Sequence, residues 1–364
     1  MKFVFLSSYA HLVLDPSSNR VSGGAELQVA LLAKELAARG HESVLIGGDI
    51  GQPDKQTFQG VRTRNGGKFH TGNTIEMLRA IPRVTRVLRE EQGDYVFILG
   101  WTAWLFILYL LRKPLHYKLG FICGLDTEVN GEYRKANPVS GGLFEYALRR
   151  LDVRFAMTRL QESLFQKNGM DCHLYRNLIL PRQNTLNEIP AKDIDLLWIA
   201  RCQKIKRPHL FLDLAEACPE AHCEMVCPAE DAELFASIEA RAKKLPNVTF
   251  LERVPYHEVQ SHYDRARLFV NTSDWEGWPN SFIQAGQGYC GILSLSVKPD
   301  TLFEDFALGK LCQNDMEQLK STAKNFLQSK EKTDALGHEA RRFVDELHNN
   351  DQETKNFLQG LGLS

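Results

Sequence analysis

The chain has no apolar run long enough to span a bilayer. Its most apolar stretch, Trp101–Leu111, is about half the length a spanning helix needs. Met1–Ser8 carries one lysine and a four-residue apolar run, too short for a secretory leader. A location in the cytoplasm is therefore expected. The eight cysteines form no Cys-x-x-Cys pair, which argues against a disulfide framework and suits a reducing compartment. Cys218, His222, Cys223 and Cys227 lie close together, yet paired knuckles are missing and His222–Cys227 reads as a strand. Buried thiols are expected there, and no metal. No excess of basic charge points to nucleic acid, since the formal net charge is −1. Short-period repeats and low-complexity segments are also lacking.

What remains is ordinary globular chemistry, 43% hydrophobic and 24% charged over 364 residues, a length that favours two domains. Residues 1–176 carry a balance of +6 and residues 177–364 one of −7. Strand and helix patterns alternate along almost the whole length, the signature of parallel sheets covered by helices. Strands are expected at Lys2–Leu6, Ser43–Ile46, Tyr95–Leu99, Tyr117–Ile122 and Val153–Met157. Helices are expected at Ala25–Ala38 and near 74–91, 140–150 and 159–168. The alternation lapses in a polar, proline-bearing stretch and then resumes from Leu196 with strands ending at Ala200, Cys227, Leu251, Val270 and Ser296. The expected organisation is an N-terminal domain over 1–177, a linker over 178–193, a second domain over 194–340 and a helical tail over 341–364 packing back on the first. Two doubly wound domains of this kind place ligands at the carboxyl ends of their strands. Facing one another, they form a cleft for a nucleotide and an acceptor.

Three segments can carry chemistry. The first is Val21-Ser22-Gly23-Gly24-Ala25-Glu26, where paired glycines let backbone approach a ligand and a helix start offers N–H groups to phosphate. Ordinary turns use such pairs too. The second runs from Ala200 to Pro208 and holds Arg201, Lys204, Lys206 and Arg207 at a strand end. Fixed cations there stabilise the charge that accumulates on a leaving diphosphate, although isolated charge runs are usually solvated loops. The third is Trp275-Glu-Gly-Trp278-Pro279-Asn280-Ser281-Phe-Ile-Gln284, a strand exit leading into a helix behind a proline. Its Glu276 suits sugar hydroxyls, the N–H groups of Asn280 and Ser281 suit an anion, and Gln284 suits a ribose. A plain junction with Trp275 and Trp278 in a core would look the same.

In this order the three segments resemble the retaining glycosyltransferases of family 4, along essentially the whole chain. In that family a Gly-Gly loop follows the first strand, as Gly23-Gly24 does here. A strand-end arginine is followed by a lysine, as Arg201 is by Lys206. Two glutamates separated by seven residues follow a late strand, matching Glu276 and position 284. Asn177 sits where relatives have an Asn before their linker. The resemblance implies the GT-B fold, two Rossmann-like doubly wound parallel-sheet domains facing across a cleft. It also implies transfer of a sugar from a UDP- or GDP-linked donor to a saccharide or lipid-linked acceptor, with retention and without a cofactor. Arg201 and Lys206 would hold the diphosphate, Glu276 the sugar and Gln284 the ribose, with Trp278, Pro279, Asn280 and Ser281 beside them. A branch resembling polysaccharide-assembly enzymes has Gln at position 284, so the role implied is cell-surface polysaccharide or glycolipid synthesis. Where many members have His before Gly near the fifth strand, this chain has Cys123-Gly124-Leu125-Asp126, which leaves Asp126 as the polar candidate.

Arg79, Arg83, Arg86 and Arg89 recur at helical spacing with Leu78, Ile81 and Leu88 between them. Such a helix suits peripheral contact with an anionic membrane at its inner face, or simply a solvated surface. Two other readings stay open on sequence: a sugar-nucleotide epimerase of similar fold, and a degenerate nucleotide-sugar-binding partner protein.

Overall fold

The computed structural model describes residues 1–15, 23–69, 74–100, 103–182, 189–255 and 258–363. Val21 and Ser22 of the glycine loop, Trp101 of the apolar stretch and residues 183–188 of the expected linker lie outside them. The chain divides into two units, Met1–Leu180 with Asn350–Ser364 and Pro181–Asn349.

The first unit contains β1 (Lys2–Leu6), α1 (Ala10–Leu14), α2 (Gly24–Ala38), β2 (Glu42–Gly47), β3 (Gln56–Phe58), β4 (Val61–Asn65), α3 (Thr74–Glu91) and β5 (Tyr95–Leu99). It continues through α4 (Trp104–Leu115), β6 (Lys118–Ile122), α5 (Glu132–Ala136), α6 (Pro138–Leu148), β7 (Val153–Ala156), α7 (Arg159–Lys167) and β8 (His173–Leu174). Its sheet runs β3-β4-β2-β1-β5-β6-β7-β8, parallel except where β3 pairs antiparallel with β4. The chain leaves β1 toward one edge and returns at β5 on the other side, so the topology switches between β1 and β5.

Successive strand residues point to opposite faces, and both faces here are covered. Val4, Leu6, Val96 and Ile98 pack with Val84, Leu105, Leu108 and Phe144 from α3, α4 and α6. Phe3, Phe97 and Phe155 on the other face meet Phe357, whose ring lies 4.6 Å from that of Phe155. The β3–β4 hairpin was not legible in the pattern. Gln59 (φ 50°) and Gly60 (φ 82°) close it as a two-residue turn with both centres left-handed, and Gln-Gly is a weak signal for that geometry.

The second unit contains β9 (Ile194–Ile199), α8 (Pro208–Ala217), β10 (Cys223–Val226), α9 (Ala232–Ala242), β11 (Val248–Leu251), α10 (Val259–Arg265) and β12 (Ala266–Asn271). There follow α11 (Asn280–Gln287), β13 (Gly291–Ser294), α12 (Leu302–Asp305), β14 (Gly309–Leu311), α13 (Met316–Leu327) and α14 (Lys330–Leu347). Its sheet is parallel throughout, in the order β11-β10-β9-β12-β13-β14, with the switch between β9 and β12. Cys218, Cys223 and Cys227 are buried in its core, where loss of solvent pushes the Cys223 thiol up to about 12. The His222 ring instead contacts the Asp193 carbonyl and the Thr249 hydroxyl.

Helix α14 braces α11 closely. A Cβ on Gly286 would fall 2.3 Å from the Ala340 carbonyl oxygen, so only glycine permits this approach. The last helix, α15 (Asn350–Gly360), belongs to the first unit. Its Asn350 exchanges two hydrogen bonds with the Ile179 backbone, at 2.8 and 2.9 Å, and its Glu353 accepts the Arg176 N–H at 2.7 Å. Burial of Glu353 raises its pKa.

Candidate functional site

The sheet order switches between β9 and β12, and the strand ends at such a switch are where doubly wound sheets bind ligands. Two of the expected segments leave those two strands. After β9 the chain passes Arg201 and Cys202 into a short 3-10 turn, Lys204–Lys206. β12 ends at the buried Asn271, and the chain passes the buried Thr272 and Ser273 to Glu276. The Asp274 N–H donates to the Ile205 carbonyl at 2.9 Å, which seats one loop on the other.

Lys206 and Glu276 meet at 3.0 Å, each with less than a fifth of its side chain exposed. The remaining carboxylate oxygen of Glu276 accepts from Asn271 Nδ2 at 2.8 Å and Ser273 Oγ at 2.7 Å. Glu276 is thus an oriented carboxylate held by neutral donors on one side and a cation on the other. The backbone of Lys206 is fixed from below. Trp198 Nε1–H donates to the Thr272 hydroxyl at 2.9 Å, and that hydroxyl donates to the Lys206 carbonyl at 2.7 Å.

Arg201 is placed differently. Its guanidinium pairs with Glu230 at 3.0 Å, after β10, with nearly half of the side chain exposed. The structure therefore brings Lys206, but not Arg201, against Glu276. Pro279 stands just before α11 in extended backbone (φ −70°, ψ 116°) rather than inside its first turn, and Asn280 and Ser281 open the helix. Trp278 is buried with its ring 6.3 Å from Phe343 and 5.1 Å from His348, whereas Trp275 is half exposed. Gln284 sits one turn into α11, partly buried. Its carbonyl accepts from Gln260 Nε2 at 3.0 Å, and its side-chain amide has no hydrogen bond among the described residues.

In the first unit, Gly23 caps α2 in extended backbone (φ −87°, ψ 174°) and Gly24 opens the helix, between α1 and β2. Asp126 starts a 3-10 turn after β6, and its carbonyl accepts the Val129 and Asn130 N–H groups. Cys123 is fully buried. Its thiol donates to the Leu125 carbonyl at 3.3 Å, and burial, reinforced by the negative charge of Glu128, pushes its pKa well up. A thiol so enclosed takes no part in exposed chemistry. Glu128 is the residue the sequence did not flag: buried, it accepts the Gly124 N–H at 2.8 Å in the turn that leads to Asp126.

The family described as Glycosyl transferase 4-like domain matches residues 23–174, and that described as Glycosyl transferases group 1 matches residues 182–343. No curated protein matches the chain in sequence. Among solved structures, the chain is similar to sucrose-phosphate synthase from Thermosynechococcus elongatus, with a TM-score of 0.80, 16% identity and coverage of 99% of this chain and 98% of that one. It is also similar to HepE of Anabaena, solved with UDP and glucose (TM-score 0.72, 14% identity, coverage 100% and 99%). A third likeness is to the trehalose-6-phosphate synthase OtsA (TM-score 0.74, 11% identity, coverage 100% and 99%). With a 4-like domain, a group 1 domain and this two-sheet architecture, the chain is a glycosyltransferase of the GT-B fold.

Proposed function

We propose that this glycosyltransferase moves a sugar from a nucleoside-diphosphate sugar to a saccharide or lipid-linked acceptor, with retention, in cell-surface polysaccharide or glycolipid synthesis. The observation that carries the reading is the Lys206–Glu276 pair at the β9/β12 switch point. Lys206, joined by Arg201 once it turns from Glu230, neutralises the diphosphate. Glu276, freed as Lys206 turns to phosphate, accepts hydrogen bonds from sugar hydroxyls. Gln284 accepts from the ribose, and the opening of α11 at Asn280 and Ser281 lies beside the phosphates. The bond from the anomeric carbon to the diphosphate oxygen breaks, the acceptor oxygen bonds to that carbon on the same face, and the acceptor proton passes to the departing phosphate oxygen. The protein's part is positioning and charge stabilisation, without a cofactor. UDP in the HepE structure supports a uridine donor, and the two sugar-phosphate synthases support saccharide acceptors.

Asp126 serves on the acceptor side, at the strand ends of the first unit. We also propose a cytoplasmic protein in peripheral contact with an anionic membrane. Among the described residues no helix is long and apolar enough to cross one. Of the α3 arginines, Arg83 is turned inward to the Asn65 carbonyl at 3.0 Å, while Arg79 and Arg89 are exposed and pair with no acidic residue among the described residues. Beside them, α4 and α6 expose Leu110, Leu143 and Tyr146, with Arg112 stacked on Tyr109 and Arg150 on Tyr146, each at 3.9 Å. Aromatic and aliphatic groups rimmed by arginine suit a headgroup boundary.

A second reading, a nucleotide-sugar-binding partner without turnover, draws on the neutral Gln284 and the enclosed Cys123. Thermal-shift screening with UDP, GDP and their sugar conjugates, followed by mass detection of a new glycoside, tests both. Stabilisation by UDP-sugars with a glycoside product is expected. Stabilisation without product favours the partner reading, and isomerised donor would overturn both in favour of an epimerase.

A further inference from the structure

We propose that Arg207 is a positioning residue, the clamp that holds the Lys206–Glu276 pair in register; the proposal rests on reading that pair as the donor site. Arg207 stands at φ 48° and ψ 54°, a left-handed conformation that side chains disfavour and glycine adopts freely. Strain of this kind persists where the surroundings over-determine it. Here the side chain supplies the determination. Only 14% of it is exposed.

Its guanidinium makes four hydrogen bonds and one ion pair. Nε donates to the Thr272 carbonyl at 2.6 Å. One terminal nitrogen reaches Asn314 Oδ1 at 2.7 Å and Asp274 Oδ1 at 2.8 Å. The other reaches the Ser273 carbonyl at 3.0 Å and Ser296 Oγ at 2.8 Å. These acceptors lie on the segments that leave β12, β13 and β14, while Arg207 itself follows β9. One guanidinium thus joins the carboxyl ends of four strands, directly beside Lys206 and between Asn271 and Glu276. With its donors engaged, it orients the residues that meet the ligand instead of meeting the ligand itself. A lysine carries its donors at a single point and cannot span these acceptors.

The test compares Arg207→Lys and Arg207→Gly with wild type, using UDP as the probe. Arg207→Gly relieves the backbone and removes the clamp, whereas Arg207→Lys keeps the charge. Two readouts are taken well below the unfolding temperature: calorimetric UDP affinity and hydrogen exchange at the Asp274 amide, which bonds to the Ile205 carbonyl. Exchange at Asp274 is expected to quicken, and UDP affinity to fall, by about tenfold or more in both variants, with core strand amides unchanged. Should Arg207→Gly fail to fold, Arg207→Lys decides alone. Wild-type exchange and affinity in the folded variants overturn the proposal. So does uniformly faster exchange with UDP affinity intact, which marks a merely structural role. Lys206→Ala serves as the control. If it binds UDP as wild type does, the donor-site reading fails, whatever Arg207 does to Asp274.

Discussion

Lys206 and Glu276 form an ion pair at 3.0 Å although they leave different strands, and the carboxylate is held from its other side by Asn271 and Ser273. On the proposed reading this pair is a resting state, in which a diphosphate competes for the lysine and a sugar hydroxyl for the glutamate.

Replacing Lys206 by Ala is expected to lower kcat by about 10²–10³-fold, the usual loss when one stabiliser of developing charge is removed. Arg201→Ala should do less, because its guanidinium must first leave Glu230. Steady-state kinetics on the donor identified by screening reads both. Wild-type turnover in the two variants would remove this loop from the site.

Gln284→Glu is expected to keep or tighten nucleotide binding, since a carboxylate accepts a ribose hydroxyl more strongly than an amide does. Gln284→Ala should weaken it by roughly tenfold, in line with one lost hydrogen bond. Calorimetry with UDP distinguishes them. Equal affinity in both variants and wild type places the ribose elsewhere.

Glu353 gives the fold a pH dependence. Its burial raises the folded-state pKa above the ordinary 4.5, so folding favours the protonated form. The stabilisation is present in full below about pH 4.5 and is lost as pH rises through the higher folded value. Glu353→Gln, neutral at every pH, should flatten that part of the profile. Urea unfolding of both proteins at pH 5 and pH 8 checks the sign, and a steeper decline in the variant would contradict it.

Flotation with phosphatidylglycerol vesicles should carry the wild-type protein, and Leu110→Glu with Leu143→Glu should weaken this strongly. Arg79→Glu with Arg89→Glu should weaken it at low salt and little at high salt, where surface charges are screened. Flotation that ignores all four changes would exclude this face from membrane contact.

Much of the fold was legible because its signals are local. Strands buried on both faces read as apolar runs, and α2, α3, α6 and α7 lie where helices were expected. The short β3–β4 hairpin and β14 escaped for the opposite reason. Their few residues are half polar, and pairing rather than propensity holds them in a sheet. The order of Gly23-Gly24, Arg201, Lys206 and Glu276 marked the candidate site, since strand-end loops carry their own residue types.

The sequence by itself determined the alternation of strands and helices, the parallel sheets and the segments that leave the strand ends. Tertiary structure alone decided how those segments meet. It pairs Glu276 with Lys206 and Arg201 with Glu230, encloses Cys123, and places Arg207 against acceptors 65 to 107 residues away. No local pattern encodes such partners. Periodicity reports which face of an element is buried, while the partner of a buried charge depends on which strand ends the sheet order makes neighbours.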